Sequence, residues 1–234
     1  MQRAHIVYAH PEPRSFVAAM RDVVEDSLRS QRWHVTLSDL YAQGFNPVAS
    51  SDDFGARQDL DYLTYSLEQR HGHKHGTLAN DISQEIALLQ EAELLVLVFP
   101  IFWYSVPAIL KGWIDRVFIS GAFYGGRRIY AKGGMVGKRA LVVAALGGRN
   151  DMFGPDAIHG ELNGMLRHLL QGTLGYVGYD VLEPFYAYHV PYIPTAEREK
   201  VLVNLRTELA DIDARATMPM PSLLEFDERF SRYK

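Results

Sequence analysis

The chain has 234 residues, 47% hydrophobic and 22% charged, which suits one large domain and excludes disorder, collagen-like repeats or coiled coil as descriptions of the whole. A formal net charge of −4 leaves no basic excess for nucleic acid or an anionic membrane surface. With no cysteine, disulfide scaffolds, thiolate catalysis and cysteine-ligated metal are excluded, so any redox chemistry must be carried by a bound cofactor.

The N-terminus runs straight into Ile6-Val7-Tyr8 without the apolar run of a signal peptide. The longest apolar stretch, Leu94 to Phe102, is far short of the ~20 residues that span a bilayer, so a cytoplasmic protein without membrane insertion is expected. His5 to Ala9 has strand length. Ser15 then caps a helix whose apolar positions are Phe16, Ala19, Met20, Val23 and Val24. His34 to Leu37 is a second strand, followed by a polar stretch from about Asn46 to Asn80 with little period. A helix uses Ile82, Ile86 and Leu89. The uninterrupted aliphatic run Leu94 to Pro100 has the pattern of a strand buried on both faces. Ile109, Leu110, Trp113 and Val117 lie on one helical face, and Ala140 to Leu146 is a fourth strand stopped by Gly147-Gly148. Ile158, Leu162, Met165, Leu166 and Leu169 predict a helix that includes His159. Val181 to Phe185 is a fifth strand, and Val201, Leu205, Leu209 and Ile212 a last helix.

Strand alternates with helix along the chain, which requires a parallel sheet with right-handed crossovers and helices on both faces. The expected fold is α/β, a flavodoxin-like doubly wound five-stranded sheet. No repeat or linker divides it: residues 1–215 read as one domain and 216–234 as a C-terminal tail over the surface.

In such sheets a ligand sits outside the carboxyl ends of the strands at the switch point, here the loops after strands one, three and four. The first, His10 to Phe16, delivers a helix N-terminus suited to an anion. It has neither a GxGxxG nor a P-loop pattern. The second, Pro100-Ile101-Phe102-Trp103-Tyr104, sets three aromatics in succession, which cannot all face one core. The alternative use for them is packing beneath the 46–80 segment. The third, from Leu146-Gly147-Gly148 to Phe153 and His159, begins with glycines that allow close backbone approach to a ligand.

Together these residues resemble the NAD(P)H:quinone oxidoreductase (DT-diaphorase) family of flavodoxin-like flavoproteins. The likeness runs from about Ala4 to Ile212 and is carried by Ala9-His10, Ser38 to Ala42, Phe45-Asn46-Pro47, Val106 to Trp113, Arg116-Val117-Phe118, Gly147-Gly148, Ile158-His159-Gly160 and Val181 to Pro184. It implies FAD, ahead of FMN, held by His10, Ser15, Phe16 and Val17, with Pro100, Ile101, Phe102, Trp103 and Tyr104 along the flavin ring. Leu146, Gly147, Gly148 and Phe153 would approach from the other side, and Arg198 would lie near the adenosine part. It further implies a homodimer with the active site at the interface. NADPH or NADH and then a quinone-like acceptor would use one open face in turn. Substrate would meet Trp103, Phe153 and His159, with Phe123 and Tyr124 supplied by the partner chain.

His159 stands at the family's catalytic histidine, but the family's tyrosine position holds Phe153, which can pack against a ring and cannot donate a hydrogen bond. Phe102 replaces a family glutamine, Val17 an asparagine, and Gly126 a second lid tyrosine. The departure at Phe153 keeps a second reading open: a non-catalytic or weakly catalytic flavoprotein serving as a redox-sensing regulatory subunit or electron carrier. No metal site is expected. His71, His73 and His75 would share one side only if that segment were extended.

Overall fold

The computed structural model describes residues 1–233. Its centre is a parallel sheet of β1 (Arg3–Tyr8), β2 (His34–Asp39), β3 (Leu94–Pro100), β4 (Arg139–Ala145), β5 (Asp180–Val181) and β6 (Phe185–Ala187). The strand order is β2-β1-β3-β4-β5, with β6 also on β4. This is the doubly wound order expected. The fifth strand, however, is two pieces in one edge position, β5 beside Arg139 and Ala140 and β6 beside Val143 to Ala145. Pro184, which has no N–H, lies in the gap, and the Glu183 amide turns outward to the Ala216 carbonyl at 2.8 Å.

That outward bond begins an antiparallel contact in which the Met218 amide donates to the Val181 carbonyl at 2.8 Å. The start of the tail therefore covers the open sheet edge. Further on, Arg127 donates to the Asp227 carbonyl at 2.9 Å and lies 4.9 Å from the Phe230 ring centre. Among the described residues no helix is long and apolar enough to cross a membrane.

Helices α1 (Phe16–Ser30) and α7 (Thr195–Leu209) cover one face of the sheet, through Val17, Met20, Val24, Leu28, Leu205 and Leu209. On the other face lie α3 (Asn80–Glu91), α4 (Ala108–Val117) and a broken helical stretch containing α5 (Leu162–Met165) and α6 (Arg167–Leu169). The 46–80 segment is more ordered than its pattern suggests, because it contains α2 (Tyr65–His75). The face α2 buries is Glu68, Gln69 and Gly72, so no apolar period announces it. His71 and His75 sit one turn apart with ring centres 4.2 Å apart, which removes the extended arrangement that would have aligned three histidines.

The segment is held by charge as well as by packing. Arg116 on α4 is almost fully buried between Asp53 and Asp81. Gly112 on the same helix lets the chain at Pro47 come close, since a Cβ there would lie 2.1 Å from the Pro47 carbonyl oxygen.

A second buried group links four elements, β1, β2, α3 and α4. Ser38 Oγ donates to Glu85 Oε1 at 2.6 Å and Trp113 Nε1 to Oε2 at 2.8 Å, while His5 Nε2 lies 3.6 Å from Oε2. Burial alone would push the Glu85 carboxyl up, but hydrogen bonding from His5, Ser38 and Trp113 and the field of His5 hold it below its ordinary value of 4.5. The folded chain therefore takes up this proton less readily than the unfolded chain. The stabilisation is fully present above about pH 5 and is lost as pH falls through the lowered value. Urea midpoints measured from about pH 6 to about pH 3 should drop on the acid side, and Glu85→Gln should flatten that drop. It should also cost about 1–3 kcal/mol at neutral pH. An acid slope unchanged in the variant would assign the effect to other groups.

Candidate active site

The carboxyl ends of β1, β3 and β4 lie side by side, since Tyr8 pairs with Val98 and Pro100 with Ala145. Each strand then releases one of the three loops singled out from sequence. Ser15, in extended backbone, caps α1 by accepting the Ala18 amide at 3.1 Å on Oγ. The first-turn amides of Phe16 and Val17 lie beyond the reach of helical hydrogen bonding and face outward with the positive end of the helix dipole. Beside them His10 Nδ1 accepts the Glu12 amide at 3.0 Å, which leaves the ring's hydrogen on Nε2. Burial lowers its affinity for a second proton.

After β3 the chain reverses sharply. Phe102 and Ser105 exchange backbone hydrogen bonds of 3.0 Å in both directions. The two residues between them, Trp103 and Tyr104, have φ of 50° and 56°, the left-handed region. A two-residue turn of this kind normally takes glycine or asparagine, and each bulky residue held there costs on the order of 1–3 kcal/mol. The reversal presents the rings to solvent. Phe102 is 46%, Trp103 96% and Tyr104 42% exposed, so none is packed beneath the 46–80 segment. Ser105 Oγ anchors the turn on His168 Nε2 at 2.9 Å, while His168 Nδ1 bonds the Met165 carbonyl at 3.2 Å.

After β4, Gly147 and Gly148 are gripped from the chain beyond β6. His189, at φ 58°, donates its amide to the Gly148 carbonyl at 2.8 Å and places Nδ1 2.9 Å from the Gly147 carbonyl. The Phe153 ring lies over Gly148, where an added Cβ would be 2.8 Å from Cε2. Its centre is 5.3 Å from the ring of His159 and 5.8 Å from that of Tyr188. His159 is not on a helix. The loop closes on itself, with the His159 amide on the Met152 carbonyl and the Gly154 amide on the Gly160 carbonyl, and Gly160 turns at φ 70°. Helix α5 starts only at Leu162, and Ile158 is 83% exposed where the periodicity placed it inward.

His10, Phe16, Val17, Pro100, Ile101, Phe102, Leu146 and Gly147 are brought together around one cleft of about 200 Å³. Ala145, Val190 and Pro191 complete its walls. Arg198 stands behind Pro191, with Nη2 3.5 Å from its carbonyl and Nε buried without a partner among the described residues. A neighbouring cavity of about 330 Å³ is lined by Phe153, Asn163, Glu183, Tyr186 and Tyr188, with Tyr186 donating to Asn163 Oδ1 at 2.8 Å. Burial raises the pKa of both Tyr186 and Tyr188.

Tyr186, Tyr188, His189 and Pro191 are missed in the sequence because they follow the apparent end of the fifth strand. The alternation Tyr186-Ala187-Tyr188 was the available signal. Phe123, expected to close over the partner chain's substrate, is 1% exposed and packs edge-on against Phe118 in the core of its own chain. Tyr124 beside it stays half-buried against Tyr176.

The cleft combines apolar walls and strand-end backbone, with an unsatisfied helix N-terminus beside it and the Arg198 guanidinium behind Pro191. A flat ring system with a polar edge and an anionic arm matches that donor set, and a flavin has this chemistry.

The chain is similar to known proteins over most of its length. A family profile described as flavodoxin-like fold matches residues 2–210. NAD(P)H dehydrogenase (quinone) 1 of Cavia porcellus is 37% identical over 213 residues, covering 91% of this chain and 78% of its own length. Ribosyldihydronicotinamide dehydrogenase (quinone) of Homo sapiens is 38% identical over 199 residues, with 85% and 86% covered. A crystal structure from Klebsiella pneumoniae, provisionally assigned as a quinone reductase, superposes with a TM-score of 0.89 at 30% identity over 94% of this chain and 88% of its own.

Proposed function

Because the chain belongs to the NAD(P)H dehydrogenase (quinone) family, built on the flavodoxin-like fold, we propose that it reduces quinones or similar flat acceptors by two electrons at the expense of NADPH or NADH. The carrier is FAD, seated in the cleft at the switch point. The observation that carries this reading is the convergence of the loops after β1, β3 and β4 on one apolar cleft with donors at one end and exposed rings at the other.

A bound flavin supplies a two-electron store that lets donor and acceptor use one face in turn. The chain's own residues supply everything else. The amides of Phe16 and Val17 and Nε2–H of His10 face an anionic arm, and Arg198 adds a cation beyond Pro191. Phe102 and Ile101 form the β3 wall, Leu146 and Gly147 the β4 wall. Trp103, Phe153 and His159 stand around the open side, where the acceptor stacks. The partner is a second copy of this chain, and Trp103 at 96% exposure is the surface it covers.

The test is a visible spectrum of the purified protein loaded with FAD or FMN, taken before and after anaerobic addition of NADPH or NADH. Bleaching within seconds, restored by a quinone, is the expected result, with FAD retained more tightly than FMN. A flavin that binds and stays yellow favours a redox-sensing role. A protein that takes up neither flavin would falsify both readings.

A further inference from the structure

The reaction just proposed leaves one atom unaccounted for. NAD(P)H, a quinone and one proton give NAD(P)⁺ and a hydroquinone. The nicotinamide contributes two electrons and one hydrogen as hydride, and the second hydrogen must arrive as a proton from solvent. The site therefore needs a route from water to the acceptor oxygen, and the residue opposite the strained turn indicates where it runs.

Histidine is the side chain best suited to hold and release a proton, and His159 lies against Phe153, whose ring covers Gly148 next to the cleft. Its Phe153 neighbour, ring centres 5.3 Å apart, offers no polar atom. The hydroxyl within reach is that of Tyr104, with Oη 3.3 Å from Nδ1 and the two ring centres 5.7 Å apart. Tyr104 is held there by the left-handed turn at φ 56°, whose far side is tied to His168 through Ser105. Backbone strain of this kind persists where it aims a side chain. The same turn leaves Tyr104 42% exposed in the single chain, so its side chain is not sealed in the core.

We propose that Tyr104 and His159 form a two-residue proton path into the acceptor site, with Tyr104 as its solvent end. This rests on the reductase reading above. Tyr104 O–H donates to His159 Nδ1, which keeps the ring's hydrogen on Nε2. When the acceptor has received two electrons, the Nε2–H bond breaks and an O–H bond forms on the acceptor oxygen. The Tyr104 proton passes to Nδ1, and Tyr104 takes a proton from water. Exchange of the two ring nitrogens with water then restores the starting tautomer. One solvent proton is consumed per turnover, as the stoichiometry requires.

Tyr104→Phe removes one oxygen and leaves the turn intact, which its thermal midpoint will verify. In the flavin-loaded dimer, ¹⁵N spectra of His159 should change from one dominant tautomer to a mixture. In stopped flow, reoxidation by a quinone should slow about tenfold or more, with a larger solvent deuterium effect. Reduction by NAD(P)H should slow less than reoxidation does. His159→Gln should slow the same step, and the double variant should be no slower than His159→Gln alone, because the two residues act in series. An unchanged tautomer together with an unchanged reoxidation rate in Tyr104→Phe overturns the path. A parent protein that NAD(P)H does not bleach overturns the reductase reading instead, and the two failures are told apart by the parent alone.

Discussion

Replacing Arg116 by methionine should destabilise the fold by about 3–5 kcal/mol, more than the loss of any surface ion pair in the molecule. Arg116 Nε and Nη2 reach Asp53 Oδ1 at 3.0 and 2.7 Å, and Nη1 reaches Asp81 Oδ2 at 2.6 Å and the Asn46 carbonyl at 2.9 Å. The guanidinium also lies 5.0 Å from the Phe45 ring centre. Burial works against its charge, and the hydrogen bonds and fields of Asp53 and Asp81 outweigh it, so the group stays firmly protonated. Without it Asp53, only 2% exposed, keeps Tyr65 and the Ser50 amide as partners but has no counter-charge.

Urea unfolding measures the loss, and Asp53→Asn in the Arg116→Met background should return part of it by removing the orphaned charge. A loss under about 1 kcal/mol would mean that the 46–81 segment is held by its apolar contacts and that the network is incidental. Either result bears on the site, because this network ties the segment to α4, the helix that follows the aromatic turn.

Gly147→Val should leave the fold alone and weaken flavin binding by roughly ten- to a hundredfold, the equivalent of about 1–3 kcal/mol of steric conflict. A Cβ at Gly147 would meet Tyr192 Cε2 at 3.6 Å and Pro191 Cγ at 4.0 Å, ordinary contacts, and no left-handed backbone angle stands in the way. The apo protein therefore tolerates the change. The new methyl groups extend beside Pro191 into a cleft of about 200 Å³. Fluorescence titration with FAD, alongside thermal midpoints of the flavin-free proteins, separates occlusion from misfolding. Unchanged affinity at an unchanged midpoint would move the flavin away from the β4 wall.

The doubly wound fold was legible because its strands are buried on both faces and announce themselves as aliphatic runs. The Leu94–Pro100 strand is fully buried along its length, and its sequence contains nothing else that such a run can do. Helix α2 was not legible for the opposite reason. The residues it buries are Glu68, Gln69 and Gly72, and their burial is made tolerable by partners far away in sequence, such as the Gln58 and Asp59 amides on Glu68. The helix expected around His159 shows a third case. The apolar period from Ile158 was real only from Leu162 onward, because hydrogen bonds from the loop back to Met152 and Gly160 outcompeted the first turn.

What the sequence determined by itself was the order of elements, the end of the sheet that binds a ligand, and the loops that build the site. Those follow from burial pattern and from strand–helix alternation, which are local properties. Only the tertiary structure decided which side chains meet. It sent Phe123 into the core, brought His189 and Pro191 across to the Gly147 turn, and left Tyr104, rather than Phe153, as the hydroxyl beside His159. Such pairings depend on turn angles and long-range hydrogen bonds, and a change of one φ sign redirects a ring without altering the pattern that predicted its strand.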